Sequence, residues 1–235
     1  MCELGGSSAA CGRQYKAVAK GRFAAVLFDF GDTLFHSPSG ADVIAEAGID
    51  EETAARMWEE IWAASKTAEE LSKKRDSTPE AHRAAWSSLF ARADAVAEGL
   101  SQLLYDRVMD PINWVPYPDT GSVLRALDDA GVKVGVVSNI TTHLGPVFSK
   151  YELDAYVDSY VHSFEHAVEK PAPALFAAAC QALRAPTNAT LMVGDSHLAD
   201  GGAVLAGMTT LLLPAVEPGR PRGLEVVLDL VLAAV

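Results

Sequence analysis

Two apolar runs in this sequence end in carboxylates. Ala24-Ala25-Val26-Leu27-Phe28 stops at Asp29-Phe30-Gly31-Asp32-Thr33, and Leu191-Met192-Val193-Gly194 stops at Asp195, with Asp200 close behind. A carboxylate at the tip of a buried strand is expensive unless it is paired or put to use. Asp29 therefore reads either as the cap of a strand-to-helix turn or as a nucleophile. A third run, Val134-Gly135-Val136-Val137, ends in a hydroxyl and an amide, Ser138-Asn139. Lys170 precedes a helix start, where its charge opposes the helix dipole. An in-line nucleophile, oxygen ligands for a metal, and cationic or hydrogen-bonding groups around the transferred group are what phosphoryl transfer demands.

Elements that could hold these residues follow from the hydrophobic pattern. Continuous apolar runs rich in strand formers suit strands buried on both faces of a parallel sheet, whose carboxyl ends bind ligands. Strands are expected at 132–137, 155–162, 191–193 and 209–213, after the first at about 24–28. Helices are expected at 121–130, 142–151, 171–185 (entered by Pro171 in its first turn), 198–206 and 224–235. Their alternation predicts a three-layer, parallel-sheet α/β core. Between them, 35–114 shows no strand pattern. Met57, Trp58, Ile61 and Trp62 recur at helical spacing, as do Ala85, Trp86, Leu89 and Phe90. Asp50-Glu51-Glu52-Thr53 and Ser77-Thr78-Pro79-Glu80 read as helix starts. The reading is an insert of roughly four helices whose tryptophans pack. The expected organisation is a loose tail over 1–22, a core over 23–36 and 115–235, and a helical insert over 37–114.

The chain has 235 residues, 49% hydrophobic and 21% charged, enough for one sizeable core and a smaller attached unit. A net charge of −12 argues against a basic nucleic-acid surface and against anionic membranes. It leaves room for a small phosphorylated molecule, because a metal and a few local cations outweigh the global charge. No apolar run approaches the ~18 residues of a membrane span, and the first 23 residues lack a signal-peptide core. Cys2, Cys11 and Cys180 have no metal-ligand spacing, which fits a reducing cytoplasm, with Cys180 as a core residue. Nothing in the sequence sets an oligomeric state.

Taken in order, the four stretches around Asp29, Ser138, Lys170 and Asp195 resemble the haloacid dehalogenase (HAD) superfamily of phosphatases and phosphotransferases, from about residue 24 to 208. The resemblance implies a Rossmann-like core carrying an inserted helical (C1-type) cap. It implies that Asp29 forms an aspartyl-phosphate and also binds Mg²⁺ together with the Gly31 carbonyl. Asp195 would complete the metal site, with Asp200 as ligand or support. Thr33, Ser138, Asn139 through its backbone amide, and Lys170 would hold the phosphate.

One departure stands out. HAD phosphatases typically carry a second Asp two residues after the nucleophile, to protonate the leaving group and then activate water. Here that position is Gly31. A positioned acid/base is worth ~10²–10⁴-fold. Asp32, or a group such as His36 or His82, could stand in, or the leaving group could need little protonation. The expected function is a Mg²⁺-dependent phosphatase acting on a small phosphorylated metabolite. The alternatives are a hydrolase of carbon–halogen bonds, whose branch also lacks the second Asp but usually lacks an acid at Asp195, and a catalytically weak HAD-scaffold binding protein. Phosphonate hydrolysis would need a cap lysine, and Lys66, Lys73 and Lys74 read as a solvated face.

Overall fold

Successive side chains of a strand point to opposite faces of its sheet, and β1 (Ala25–Phe28) uses this to feed two separate cores. Val26 and Phe28 join one cluster, Ala25 and Leu27 the other, and all four are completely buried. The structure, a computed structural model, describes residues 22–217 and 219–233. The expected tail, apart from Arg22, and both Cys2 and Cys11 lie outside the described residues.

β1 is flanked by β4 (Lys133–Ser138) and β6 (Thr190–Gly194), with β5 (Ser159–His162) and β7 (Thr209–Leu212) at the edges. All neighbours are parallel, in the order β5-β4-β1-β6-β7. The helices α6 (Thr120–Asp129), α7 (Gly145–Lys150) and α10 (Glu225–Leu232) cover the Val26/Phe28 face. α9 (Pro173–Leu183) covers the Ala25/Leu27 face through Leu175, Phe176, Ala179, Cys180 and Leu183. This is the expected three-layer α/β fold, and Cys180 is the expected core residue.

Several boundaries shift for local reasons. β5 starts only at Ser159, because residues 154–156 form a 3₁₀ turn in which Asp154 accepts from the Tyr160 hydroxyl at 2.9 Å. α9 is entered by Pro173, not Pro171. The expected helix over 198–206 is a 3₁₀ segment, Asp200–Ala206.

The insert holds five α-helices: α1 (Gly40–Glu46), α2 (Glu51–Ser65), α3 (Ala68–Ser72), α4 (Pro79–Phe90) and α5 (Leu100–Leu104). Both expected helix starts are capped: Asp50 accepts from Thr53 N at 2.9 Å and Thr78 from Ala81 N at 3.1 Å. The insert buries its own cluster, including Ile44, Ile61, Phe90 and Leu104. A ribbon too short to leave a pattern closes its base: β2 (Phe35–His36) pairs antiparallel with β3 (Val115–Pro116). One further short helix, α8 (Ser163–His166), follows β5. No helix among the described residues is long and apolar enough to cross a membrane.

Candidate active site

Because β4, β1 and β6 are neighbours in register, their carboxyl ends deliver Ser138, Asp29 and Asp195 to one edge of the sheet. Asp29 N still donates to Val193 O at 2.9 Å, so the nucleophile candidate stands on the last rung of the ladder. The Lys170 ammonium, buried to 4% exposure, lies 2.7 Å from Asp29 Oδ1 and 2.7 Å from Asp200 Oδ1. The second Asp200 oxygen accepts from the amides of Asp195 at 3.1 Å and Ser196 at 2.9 Å. Asp200 thus ties the lysine to the loop that carries Asp195. Gly194 permits the approach: a β-carbon there would sit 2.2 Å from Asp200 Oδ2.

Three carboxylates face one ammonium, and the electrostatics follow. Burial pushes the Asp29 carboxyl up to about 7, with Asp200 and Asp195 adding to the rise and Lys170 opposing it. Burial, then Asp32 and Asp200, raises Asp195 to about 6. Burial alone would lower Lys170, but Asp200 and Asp29 outweigh it and hold the ammonium charged.

The other expected residues fall into place unevenly. Ser138 lies on the wall of a cavity of about 180 Å³ together with Asp29, Gly31, Asp32, Asn139 and Lys170. The Asn139 side chain clamps the Lys170 backbone, donating to its carbonyl at 3.0 Å and accepting from its amide at 2.7 Å. The Asn139 side chain is thus a positioning group for the lysine. Thr33 is completely buried, its hydroxyl has no hydrogen-bond partner among the described residues, and it is not on the cavity wall. The structure therefore does not bring Thr33 to the site. Asp32 reaches the surface in a left-handed conformation (φ 53°), tolerable for Asp. It borders both this cavity and an adjoining one that holds Asp195 and His36.

Sequence reasoning missed three residues. Arg222 is 2% exposed and donates from Nε to Asp32 O at 2.7 Å, and also to Pro214 O. It is held by Asp119, which accepts from the amides of Arg222, Gly223 and Leu224 at 2.8 Å each. Trp114, on the return from the insert, stacks on Phe30 (centroids 5.1 Å apart) against Gly31. Asp76, from the turn between α3 and α4, lies on the cavity wall. Trp62 and Trp86, expected only to pack, stack on each other and also line that wall.

Oxygen atoms of Asp29, Asp195 and Asp200 lie within 4.8 Å of one another. An all-carboxylate set with an excess of negative charge suits a hard divalent cation. Since Asp200 already binds Lys170 and two amides, Asp29 and Asp195 are the carboxylates best placed to face it. A second cluster, His143, His162 and Glu165, is different. His162 Nε2 accepts from Leu144 N at 3.2 Å, which puts its proton on Nδ1, 2.6 Å from Glu165. Both ring nitrogens are engaged.

The chain is similar to known proteins. A family model described as haloacid dehalogenase-like hydrolase matches residues 23–204. Haloacid dehalogenase-like hydrolase domain-containing protein 3 of Danio rerio is 31% identical over 106 residues, 45% of this chain and 44% of that protein. Ribulose-1,5-bisphosphate 5-phosphatase of Halopiger xanaduensis is 30% identical over 102 residues, 43% of each. The chain spans about half the length of the curated relatives it matches. The solved L-2-haloacid dehalogenase of Xanthobacter autotrophicus has the same fold, with a TM-score of 0.63 at 20% identity over 83% of this chain and 79% of that one. With the family model spanning four of the five sheet strands, the insert and the lysine–carboxylate cluster, the chain belongs to the haloacid dehalogenase-like hydrolases.

Proposed function

We propose that this hydrolase is a Mg²⁺-dependent phosphatase of a small phosphate monoester, working through an aspartyl-phosphate on Asp29. The observation that carries this reading is the ammonium of Lys170, 2.7 Å from both Asp29 and Asp200, with Asp195 in the same cluster. Displacement of halide from carbon gains nothing from a further carboxylate beside the nucleophile, whereas phosphoryl transfer gains a metal ligand. Asp29, Asp195 and the Gly31 carbonyl would hold Mg²⁺, with Asp200 in support. Bound there, the ion would neutralise charge on the phosphate oxygens. Lys170 orients Asp29 and meets the phosphate as a fixed cation, and the Ser138 hydroxyl and Asn139 amide donate to its oxygens. The named phosphatase relative is consistent with this chemistry.

Gly31 favours a second reading, halide displacement by Asp29. The two separate in one experiment: acid-quenched protein, after reaction with acetyl phosphate and Mg²⁺, should carry a phosphoryl group on the peptide containing Asp29. An alkyl ester on that peptide after reaction with 2-chloropropionate, without metal, would establish the second reading instead.

A further inference from the structure

Position 31 offers the reaction no acid, but the wall of the cavity that holds Asp29 has one. Asp76 borders the same cavity as Asp29, Ser138 and Lys170. It sits in a tight turn closed by Ser77, whose amide and hydroxyl donate to Lys74 O at 3.1 and 2.7 Å. The turn is tied to the core by Ser163, whose Oγ donates to Asp76 O at 2.6 Å. A short side chain on an anchored backbone has little freedom to leave the cavity wall.

Among the described residues, the carboxyl itself has no close partner. Arg75 Nε is 4.0 Å away and His82 Nε2 3.8 Å. Arg75 is drawn aside, donating to Ser65 O at 2.8 Å with its guanidinium 4.6 Å over the Trp86 ring. His82, with Nδ1 3.0 Å from the Tyr105 hydroxyl, is held neutral: burial, Arg75 and Arg83 pull it down to about 4. Burial and the Glu169 charge raise Asp76 to about 7 against Arg75, Lys66 and Lys170. The side chain is 19% exposed on the cavity wall, and with only these distant cations beside it the carboxyl is open to a reacting group. Asp32 borders the same cavity, but burial raises it against Lys66, Arg222 and His36, and its charge in turn raises Asp195, so it sits in the electrostatic field of the carboxylate cluster.

We infer that Asp76 is the acid and base of the reaction, supplied by the helical insert in place of the side chain that Gly31 lacks; the inference rests on the phosphatase reading. In the first step an Asp29 oxygen bonds to phosphorus as the ester P–O bond breaks, and the departing oxygen takes the Asp76 proton. In the second, the Asp76 carboxylate takes a proton from water as the water oxygen bonds to phosphorus. The bond from phosphorus to Asp29 then breaks, and inorganic phosphate leaves.

The test compares phenyl phosphate with p-nitrophenyl phosphate, alike in shape but unlike in leaving-group basicity. Asp76→Asn should lower kcat/KM, which reports departure of the leaving group and not hydrolysis of the aspartyl-phosphate common to both esters, by ~10²–10⁴-fold on phenyl phosphate and by less than about tenfold on p-nitrophenyl phosphate, the second value also showing that the variant folds. Asp76→Glu should recover part of the loss. Equal losses on both esters, or a selective loss in Asp32→Asn but not in Asp76→Asn, would overturn the inference and leave the phosphatase reading intact. If the wild-type protein hydrolyses neither ester, the phosphatase reading fails and this inference fails with it.

Discussion

The α-carbon of Gly31 faces the indole of Trp114: a β-carbon at position 31 would lie 3.0 Å from Cζ3 and 3.3 Å from Cη2. Trp114 has little freedom to yield, because its Nε1 donates to Val108 O at 2.8 Å and its ring stacks on Phe30. The indole thus stands where a side chain at position 31 would begin. Gly31→Ala should cost about 1–2 kcal/mol by overpacking, and less than half of that in a Trp114→Leu background. Urea denaturation of the four proteins in the cycle measures this, and strict additivity would mean that the two positions do not press on each other.

Lys170 compensates buried carboxylates, so its loss should be felt in stability as well as in turnover. Lys170→Met leaves Asp29 and Asp200 without their shared cation, a change worth roughly 3–5 kcal/mol when one partner of a buried pair is removed. Asp200→Asn in the same chain should restore part of that loss without restoring activity. A Lys170→Met protein as stable as the wild type would contradict the buried bridge.

The Asp76 carboxyl gives stability a pH signature. Its folded value of about 7 lies above the ordinary 3.8, so folding favours the protonated form. The contribution is complete below about pH 4 and is lost as pH rises through about 7. At 19% side-chain exposure, the cost of ionisation is on the order of 2–4 kcal/mol. Asp76→Asn should therefore raise Tm by several degrees at pH 8 and leave it almost unchanged at pH 4. Equal shifts at both pH values would remove the burial argument.

The sheet and the cluster at its edge were legible in the sequence because each is local. The run Ala25–Phe28 spells a doubly buried strand, and Asp29, Ser138 and Asp195 follow directly from the ends of their strands. The hidden parts depend on distant segments. Arg222 reaches Asp32 across 190 positions, and Trp114 meets Gly31 only because β2 and β3 close the insert. Asp76 sits in a polar turn between two helices, indistinguishable by pattern from any solvated loop until Ser163 anchors it. Thr33 shows the opposite case: proximity in sequence to Asp29 does not put its hydroxyl on the cavity wall.

The central claim, phosphoryl transfer to Asp29 assisted by a divalent cation, is tested most directly by the steady-state hydrolysis of acetyl phosphate and p-nitrophenyl phosphate with and without Mg²⁺, beside Asp29→Asn. The account predicts turnover that requires the metal and falls to background in the variant, whose fold should remain intact because Asn keeps the size and hydrogen-bonding reach of Asp. Turnover that persists without metal or in Asp29→Asn, or no turnover of either activated substrate by the wild type, would contradict it.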